Sequence, residues 1–296
     1  MYFLQHCRIQ QPGITIMVFH TAAARLWSTT PRLARRVYYL MSVRHSLAPL
    51  FLPDRLETVE LSGGAGKGMK MHLNLRRERD YYFGTHELHV QSILSKVIRP
   101  GMRVCNIGAH IGFFTLILSR LVGPWGRVIA FEPNPEVRKR LVEHLSLNGL
   151  NGQVWVEDYA LGDFDGEARF SLSLSNTQGR FEDLPHVKDG SVINVHCKRL
   201  DKYVEEGGTV PAFVLMDVEH AEGRVLRGMS KTMETYRPLI VLETHGPEAI
   251  GETWVELKRH DYLLAAVPGL KIVVSSNMVR YGHYLAAHRS YFEQNL

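Results

Sequence analysis

Cysteine is scarce in this 296-residue chain, and the three that occur lie far apart. Cys7, Cys105 and Cys197 form neither a disulfide framework nor a CxxC pair, so we expect reduced thiols in an intracellular protein. The 15 histidines include no HExxH pattern. We therefore expect most histidines to be surface or core residues and assign none as a metal ligand from the sequence.

Long hydrophobic runs are also missing. No apolar stretch approaches the roughly 20 residues that span a bilayer. Hydrophobic residues make up 45% and charged residues 22% of the chain, which is ordinary for a globular protein and excludes wholesale disorder. The net charge of +5 is too modest to indicate a nucleic-acid partner. We expect a cytoplasmic protein that does not bind nucleic acid.

Acidic residues are absent from the first 53 positions, where six arginines occur. This basic extension, residues 1–53, has three interpretations. It can be an amphipathic helix that contacts an anionic membrane surface, an organellar transit-type presequence, or a helical extension packed on the core. We predict a helical cap segment at residues 54–99 and the main domain at residues 100–296.

The main domain alternates short apolar segments with amphipathic ones. Strands are predicted at residues 103–107, 127–131, 154–156, 213–218 and 239–244, and helices are predicted between them. Such alternation is typical of a Rossmann-like α/β fold, with a mostly parallel sheet covered by helices on both faces. Residues 168–173 and 192–197 alternate as antiparallel strands do, which predicts a small β insertion. Residues 263–267 and 271–275 predict a closing hairpin.

A glycine-containing loop, VCNIGAHIG at residues 104–112, joins the first of these strands to a helix. Gly108 and Gly112 allow a sharp turn and a close approach to a ligand, and the helix start presents free N–H groups. With Ala109 they are candidate cofactor contacts. His110 stands where the second glycine of GxGxxG would be, so the loop suits a nucleoside with a carboxylate-bearing tail better than a pyrophosphate.

Acidic residues end two further strands. Glu132, in RVIAFEPNP, can accept hydrogen bonds from both hydroxyls of a ribose. Asp158, after the third strand, can accept a hydrogen bond from an adenine amino group. The alternative for each is a solvated residue at a turn.

A second acidic group follows the fourth and fifth strands. Asp217 and Glu219 end one strand, and Glu243 and His245 end the next. Ligands of open α/β sheets bind outside these carboxyl ends. One carboxylate can act as a general base for a hydroxyl nucleophile, which makes Asp217, Glu219 and Glu243 the catalytic candidates. The same group can hold a Mg²⁺-like cation or simply cap the following helices.

Five segments together resemble the FkbM family of S-adenosylmethionine-dependent methyltransferases. In order along the chain they are PGMRVCNIGAHIGFFTL, GRVIAFEPNPEVRKRLVEHLSLN, ALGDFDGEARF, LMDVEHAEGRVLRGM and LIVLETH. The resemblance covers about residues 88–246. It implies a seven-stranded class I methyltransferase fold, S-adenosylmethionine as the cofactor, and methyl transfer mostly to oxygen of a small molecule or glycan.

The resemblance also implies residue roles. Asn106, Gly108 and Gly112 would hold the methionine end of the cofactor, Glu132 its ribose, and Asp158 would lie by the adenine. A further match is an acidic residue that often precedes the glycine loop, here Glu87.

The chain departs from the family pattern at three positions. The family usually has Asp where this chain has Asn106. Its KxDVEG motif is altered at Met216, which stands at the lysine position or one residue removed from it, and at His220, which replaces the glycine. If the replaced glycine has a positive φ, His220 must adopt the left-handed conformation. These departures favour one alternative, a binding or scaffold module that has lost catalysis. A nicotinamide-dependent oxidoreductase is the other, and it lacks support because GxGxxG is absent.

Overall fold

The computed structural model describes residues 52–172, 179–183 and 191–295. Nearly all of the basic extension lies outside this part of the chain, and so do the expectations about membrane contact and targeting. Within the described ranges, no helix has both the length and the apolarity to cross a bilayer.

The described strands and helices follow the α/β order expected from the sequence. The strands are β1 (Glu57–Glu60), β2 (Lys70–Leu73), β3 (Arg103–Ile107), β4 (Arg127–Phe131), β5 (Val154–Glu157), β6 (Ala160–Leu161), β7 (Gly166–Leu172), β8 (Gly179–Phe181), β9 (Val192–Lys198), β10 (Phe213–Met216), β11 (Leu239–Thr244), β12 (Tyr262–Ala266), β13 (Lys271–Val273) and β14 (Gly282–His288). The helices are α1 (Arg79–Phe83), α2 (Leu88–Val97), α3 (Phe113–Val122), α4 (Pro135–Leu147), α5 (Leu200–Glu205), α6 (Glu222–Gly228), α7 (Ser230–Tyr236), α8 (Gly246–Arg259) and α9 (Arg289–Asn295).

The main sheet confirms the Rossmann-like architecture. Its strand order is β13-β12-β14-β11-β10-β3-β4-β5. Neighbours from β11 to β5 pair in parallel, whereas β14 runs antiparallel between β11 and β12. The sheet has eight strands rather than the predicted seven. The predicted hairpin is present as β12 and β13, and β14, which the sequence did not predict, pairs between β11 and β12.

The central strands are apolar on both sides because helices cover both faces of the sheet. Cys105 is in register with Ile129 on β4 and Val214 on β10, and these three side chains share one buried cluster. Their neighbour Val104 points into the cluster on the opposite face. Helix α4 begins at Pro135, where the side chain of the N-cap residue Asn134 accepts a hydrogen bond from the Glu136 amide at 3.1 Å.

The predicted β insertion is a separate four-stranded sheet with the order β6-β9-β7-β8. Strands β7 and β9, the two segments that the alternation identified, pair antiparallel from Gly166 to Ser171. The insertion has its own small apolar cluster, which includes Phe170 and Phe181. This small sheet packs as a separate unit beside the carboxyl edge of the main sheet, where its side chains line the cavity.

Residues 54–99 contain the β1–β2 hairpin and helices α1 and α2, so the segment is only partly helical. Its buried side chains, such as Met71, Leu73 and Val90, join the same cluster as Val104. His144 on α4 ties this segment to the glycine loop. Its Nδ1 lies 2.7 Å from the Ile111 carbonyl oxygen, and its Nε2 accepts from the His72 amide at 2.9 Å.

We expect His144→Ala to lower the free energy of unfolding by about 3 kcal/mol, because it opens a cavity and leaves two buried backbone groups unpaired. His196, whose side chain is 68% exposed, supplies the control. His196→Ala should change stability by less than about 1 kcal/mol. Urea denaturation followed by circular dichroism measures both, and equal losses would contradict the role given to His144.

The same ring predicts a pH dependence of stability. Burial lowers the pKa of His144 below its ordinary value of 6.5. Its two hydrogen bonds also require the neutral ring, with Nδ1 donating and Nε2 accepting. Protonation therefore favours the unfolded chain, and stability should fall as the pH drops below about 6.5. The loss of unfolding free energy that His144 causes below this pH should be absent from His144→Ala.

Candidate active site

A cavity of about 290 Å³ opens at the carboxyl ends of β3, β4, β10 and β11. The glycine loop, the β insertion, the segment before α2 and the segment before β14 form its walls. Eight residues predicted from the sequence line it: Glu87, Asn106, Gly108, Ala109, Glu132, Asp217, Glu219 and Glu243. The predicted residues Gly112 and Asp158 do not belong to the lining.

The glycine loop is held at the sheet edge by its own backbone. The amides of Gly108 and Ala109 both donate to the Phe131 carbonyl oxygen, at 3.1 and 3.0 Å. Gly108 has φ +79°, and a Cβ there would overlap the carbonyl oxygen of Asp217. Glycine is therefore required at this position by the close approach of β3 and β10 as well as by the turn.

Two more loop residues adopt left-handed backbone conformations. His110, at the position of the second glycine of GxGxxG, has φ +50°. Gly112 has φ +89°, and a Cβ there would run into the Leu141 side chain. Gly112 therefore permits the contact of the loop with α4, which explains why it lies behind the cavity wall.

Glu132 directs a buried carboxylate into the cavity. Its Oε2 accepts from the His110 amide at 2.8 Å, and its Oε1 accepts from the Asn134 amide at 2.9 Å. Burial raises the pKa of Glu132 to about 7, although these two backbone hydrogen bonds oppose the shift. The carboxylate is thus fixed in orientation, with lone pairs left to accept from a ligand.

Asn106 lines the cavity, whereas Asp158 does not. The Asn106 amide nitrogen donates to the Thr115 hydroxyl at 2.8 Å, so the side chain is anchored to α3. Asp158 is exposed at the end of β5, whereas the next residue, Tyr159, lines the cavity. The Tyr159 hydroxyl donates to Glu157 at 2.7 Å, which fixes the ring beside the glycine loop.

The second acidic group assembles around one imidazole. His245 Nε2 lies 3.9 Å from Asp217 Oδ1, 3.9 Å from Glu219 Oε2 and 3.7 Å from Glu243 Oε2. Asp217 has 45% of its side chain open, yet the cavity walls desolvate it. This burial, followed by repulsion from Glu243, raises the pKa of Asp217.

Glu222 supports His245 from behind. It is fully buried, and its Oε1 lies 2.6 Å from His245 Nδ1 and accepts from the His245 amide at 3.0 Å. Burial alone would lower the pKa of His245, but the Glu222 hydrogen bond and the nearby carboxylates raise it. The carboxylate–imidazole pair is therefore a fixed unit with Nε2 directed at the cavity.

Strand β14 brings a second imidazole that the sequence did not single out. His283 Nε2 lies 3.0 Å from Glu87 Oε2 and 3.5 Å from Glu243 Oε2, while its Nδ1 lies 2.9 Å from His89 Nε2. Burial alone would raise the pKa of Glu87, but the His283 hydrogen bond and the nearby imidazoles together lower it. No local pattern near residue 283 indicates this role, because only the pairing of β14 with β11 creates it.

Comparison with known proteins decides the family. A family model described as the methyltransferase FkbM domain matches residues 106–264, more than half of the chain. The chain belongs to this family. It is therefore a methyltransferase, and the cavity at the carboxyl edge of its sheet is the candidate active site of an FkbM-family enzyme.

The relatives of this FkbM-family chain differ in length. The 31-O-demethyl-FK506 methyltransferase FkbM of Streptomyces tacrolimicus is 28% identical over 73% of this chain and 92% of its own. The hexuronic acid methyltransferase AglP of Haloferax volcanii is 28% identical over 47% of this chain and 54% of its own. Two other curated relatives are matched over only 6% and 22% of their length. The solved structure of methyltransferase FkbM from Methylobacillus flagellatus KT has a TM-score of 0.44 and 14% identity, over 72% of this chain and 60% of that one.

The departures from the family pattern have structural explanations. His220 has φ +63°, so it occupies a left-handed position as glycine would. Its ring centroid lies 5.9 Å from that of His245, which places a third imidazole at the edge of the acidic group. Met216 is fully buried within β10 and packs in the core. Neither change removes a group from the acidic cluster.

An aromatic wall closes the cavity on the side of the amino-terminal segment. Tyr81 on α1 packs against His86 and Phe113, with ring centroids 4.5 and 5.0 Å apart. Phe114 contacts Phe113 at 5.3 Å. The sequence did not identify this wall, because its rings come from two segments about 30 residues apart.

The close approach at Gly108 gives a testable prediction. Gly68 has φ +85° but no atom within 4 Å of the point where a Cβ would stand, so Gly68→Ala isolates the backbone strain of about 1–2 kcal/mol. Gly108→Ala adds the overlap with Asp217 and should lose at least about 2 kcal/mol more. Thermal and urea unfolding of both variants measure the difference. Equal losses would mean that β3 and β10 separate without cost.

Proposed function

We propose that this methyltransferase uses S-adenosylmethionine and methylates a hydroxyl oxygen of a small molecule or glycan. The observation that carries the proposal is the Glu132 carboxylate, which lies beside the glycine loop and is oriented by two backbone amides. A carboxylate at this strand end can accept from both ribose hydroxyls of a nucleoside cofactor. The names of two relatives, a 31-O-demethyl-FK506 methyltransferase and a hexuronic acid methyltransferase, favour hydroxylated acceptors.

The other cofactor contacts follow from the lining. Asn106, Gly108 and Ala109 surround the place for the methionine end, and Glu87 offers a carboxylate to its amino group. Tyr159 lines the cavity and is the proposed stacking partner of the adenine, and the exposed Asp158, one residue earlier, is proposed to accept from the adenine amino group. The acidic cavity matches the positive charge of the sulfonium.

Transfer of the methyl group depends more on the alignment of the acceptor oxygen with the methyl group than on activation of the sulfonium. Bound S-adenosylmethionine would supply an electrophilic methyl group, so that an O–C bond to the acceptor would form as the C–S bond breaks and a neutral thioether leaves. The hydroxyl proton passes to a carboxylate of the acidic group. Asp217 is the proposed acceptor of this proton, while Glu219 and Glu243 orient the hydroxyl.

The first experiment is calorimetry with S-adenosylmethionine and S-adenosylhomocysteine. We expect micromolar-range binding by the wild type and a 10- to 100-fold weaker affinity in Glu132→Gln, since hydrogen bonds to a charged acceptor contribute about 1.5–3 kcal/mol. Glu136→Gln, an exposed carboxylate on the next helix, is the matched control and should bind like the wild type. A wild type that binds neither molecule would leave a non-catalytic binding module as the better description.

Glu132 also predicts how cofactor affinity depends on pH. Its pKa of about 7 means that the free protein is mostly protonated there at pH 6 and mostly ionised at pH 8. Only the ionised form accepts from both ribose hydroxyls, so the affinity should rise up to about tenfold over this interval. The same titration of Glu132→Gln should lack this increase, and an identical slope in both proteins would contradict the assignment.

The catalytic carboxylate is tested with Asp217→Asn, which keeps the side-chain volume. With an acceptor found by screening hydroxylated sugars, uronic acids and macrolides, kcat should fall by about 10²- to 10⁴-fold, the usual contribution of a general base. The affinity for S-adenosylhomocysteine should change little. Glu248→Gln, an exposed carboxylate on α8, is the control, and unchanged turnover in Asp217→Asn would remove Asp217 from the mechanism.

A further inference from the structure

The imidazole of His245 is oriented in the way that metal-ligating histidines usually are. One ring nitrogen, Nδ1, lies 2.6 Å from the carboxylate of Glu222, which is fully buried. Such a carboxylate accepts from Nδ1–H and fixes the ring, so that Nε2 can release its proton and offer its lone pair to a metal ion. Glu222 also accepts from the His245 amide at 3.0 Å, so ring and backbone are fixed together.

The outward nitrogen of this ring has no hydrogen-bond partner within the described residues. The His245 side chain is only 7% exposed, and the carboxylate oxygens of Asp217, Glu219 and Glu243 lie 3.7–3.9 Å from Nε2. These separations exceed hydrogen-bond length. They do match the spacing of about 3–4 Å between donors that share one ion at bond lengths of about 2.0–2.2 Å.

Three of these groups converge on one point. Donor atoms of Asp217, Glu243 and His245 all lie within 4.8 Å of one another. Asp217 follows β10, whereas Glu243 and His245 come from β11 and the residue after it, so two adjacent strand ends of a rigid sheet supply the set. One imidazole and two carboxylates on one side of an ion leave positions open toward the cavity, as in mononuclear catalytic metal sites.

We propose that Asp217, Glu243 and His245 bind one divalent metal ion such as Mn²⁺ or Zn²⁺, with Glu222 as the positioning residue of His245. The site stands on its own geometry, but its role rests on the proposed function. In that role an open position takes the acceptor hydroxyl, whose oxygen becomes more acidic on the ion. The acceptor class would then be a hydroxyl with a neighbouring oxygen, such as a vicinal diol or a hydroxy acid, which can chelate.

A second group of donors, Glu87, Glu243 and His283, lies in the same cavity. His283 Nε2 is already 3.0 Å from Glu87 Oε2, so a hydrogen bond satisfies that nitrogen without an ion. His283 therefore provides a matched control, since it is an imidazole of similar burial that contacts the same Glu243.

The test is a titration of the full-length, chelator-treated protein with Mn²⁺, with the free ion followed by electron paramagnetic resonance. We expect one equivalent to bind in the micromolar range and His245→Gln and Glu243→Gln to bind at least tenfold more weakly. His283→Gln should bind no more weakly than the wild type, because it frees Glu243 for the ion. Displacement of Mn²⁺ by Zn²⁺ should rank the affinities of the variants in the same order. Thermal unfolding verifies that each variant is folded. If His245→Gln does not fold, Glu243→Gln alone tests the loss of ion binding.

The outcomes separate this site from the proposed function. No retention of either ion at millimolar concentration would overturn the metal site. Binding that is lost in His283→Gln and kept in His245→Gln would overturn it too, in favour of the Glu87 group. Failure of S-adenosylmethionine binding while Mn²⁺ still binds would leave the metal site and remove methyl transfer. Full turnover in the presence of a chelator would keep methyl transfer and remove the proposed role of the ion.

Discussion

Negative charge concentrated at one edge of the sheet is the constraint on which the active site depends. Asp217, Glu219 and Glu243 each bring an oxygen within 3.9 Å of the same imidazole nitrogen. Two unit charges 4 Å apart repel by about 4 kcal/mol near a protein surface. Three carboxylates are therefore stable together only with positive charge among them. A protonated imidazole supplies one unit of this charge, and a divalent ion would supply two. This edge of the cavity therefore favours a cationic ligand over an anionic one.

The fold holds this charge in place through backbone contacts that leave little freedom. The Asp217 amide donates to the Ile107 carbonyl oxygen at 3.0 Å, which extends the pairing of β3 with β10 past the end of the strand. Gly108 then lies directly against the Asp217 carbonyl. On β11 the restraint comes from Glu222, whose second oxygen is buried and lacks a hydrogen bond in the described part of the chain. A buried carboxylate of this kind destabilises the fold, and its benefit is the fixed orientation of His245.

Much of this arrangement could be predicted from the sequence, because the period of the apolar residues and the breakers around them are local signals. Strands β3, β4 and β11 have the predicted bounds. Strand β14 was missed, since the segment around Leu285 is buried on both faces and rich in alanine, so no alternation marks it. His283 was missed with it, because its partner Glu87 is nearly 200 residues away. Asp158 shows a different limit. The end of β5 could be located from the sequence, but the sequence did not show that Tyr159, rather than Asp158, lines the cavity.

The two ends of the cavity are coupled through Glu243. Its Oε2 lies 3.7 Å from His245 Nε2 and 3.5 Å from His283 Nε2, so one carboxylate is shared by both imidazoles. An ion at His245 would draw Glu243 away from His283, and His283 would then interact more strongly with Glu87. In the proposed function Glu87 is the carboxylate offered to the amino group of the cofactor. A cation at His245 and the cofactor would therefore compete for linked carboxylates, although they would occupy different places. Such coupling is reciprocal, so whatever the ion does to cofactor affinity, the cofactor does to ion affinity by the same factor.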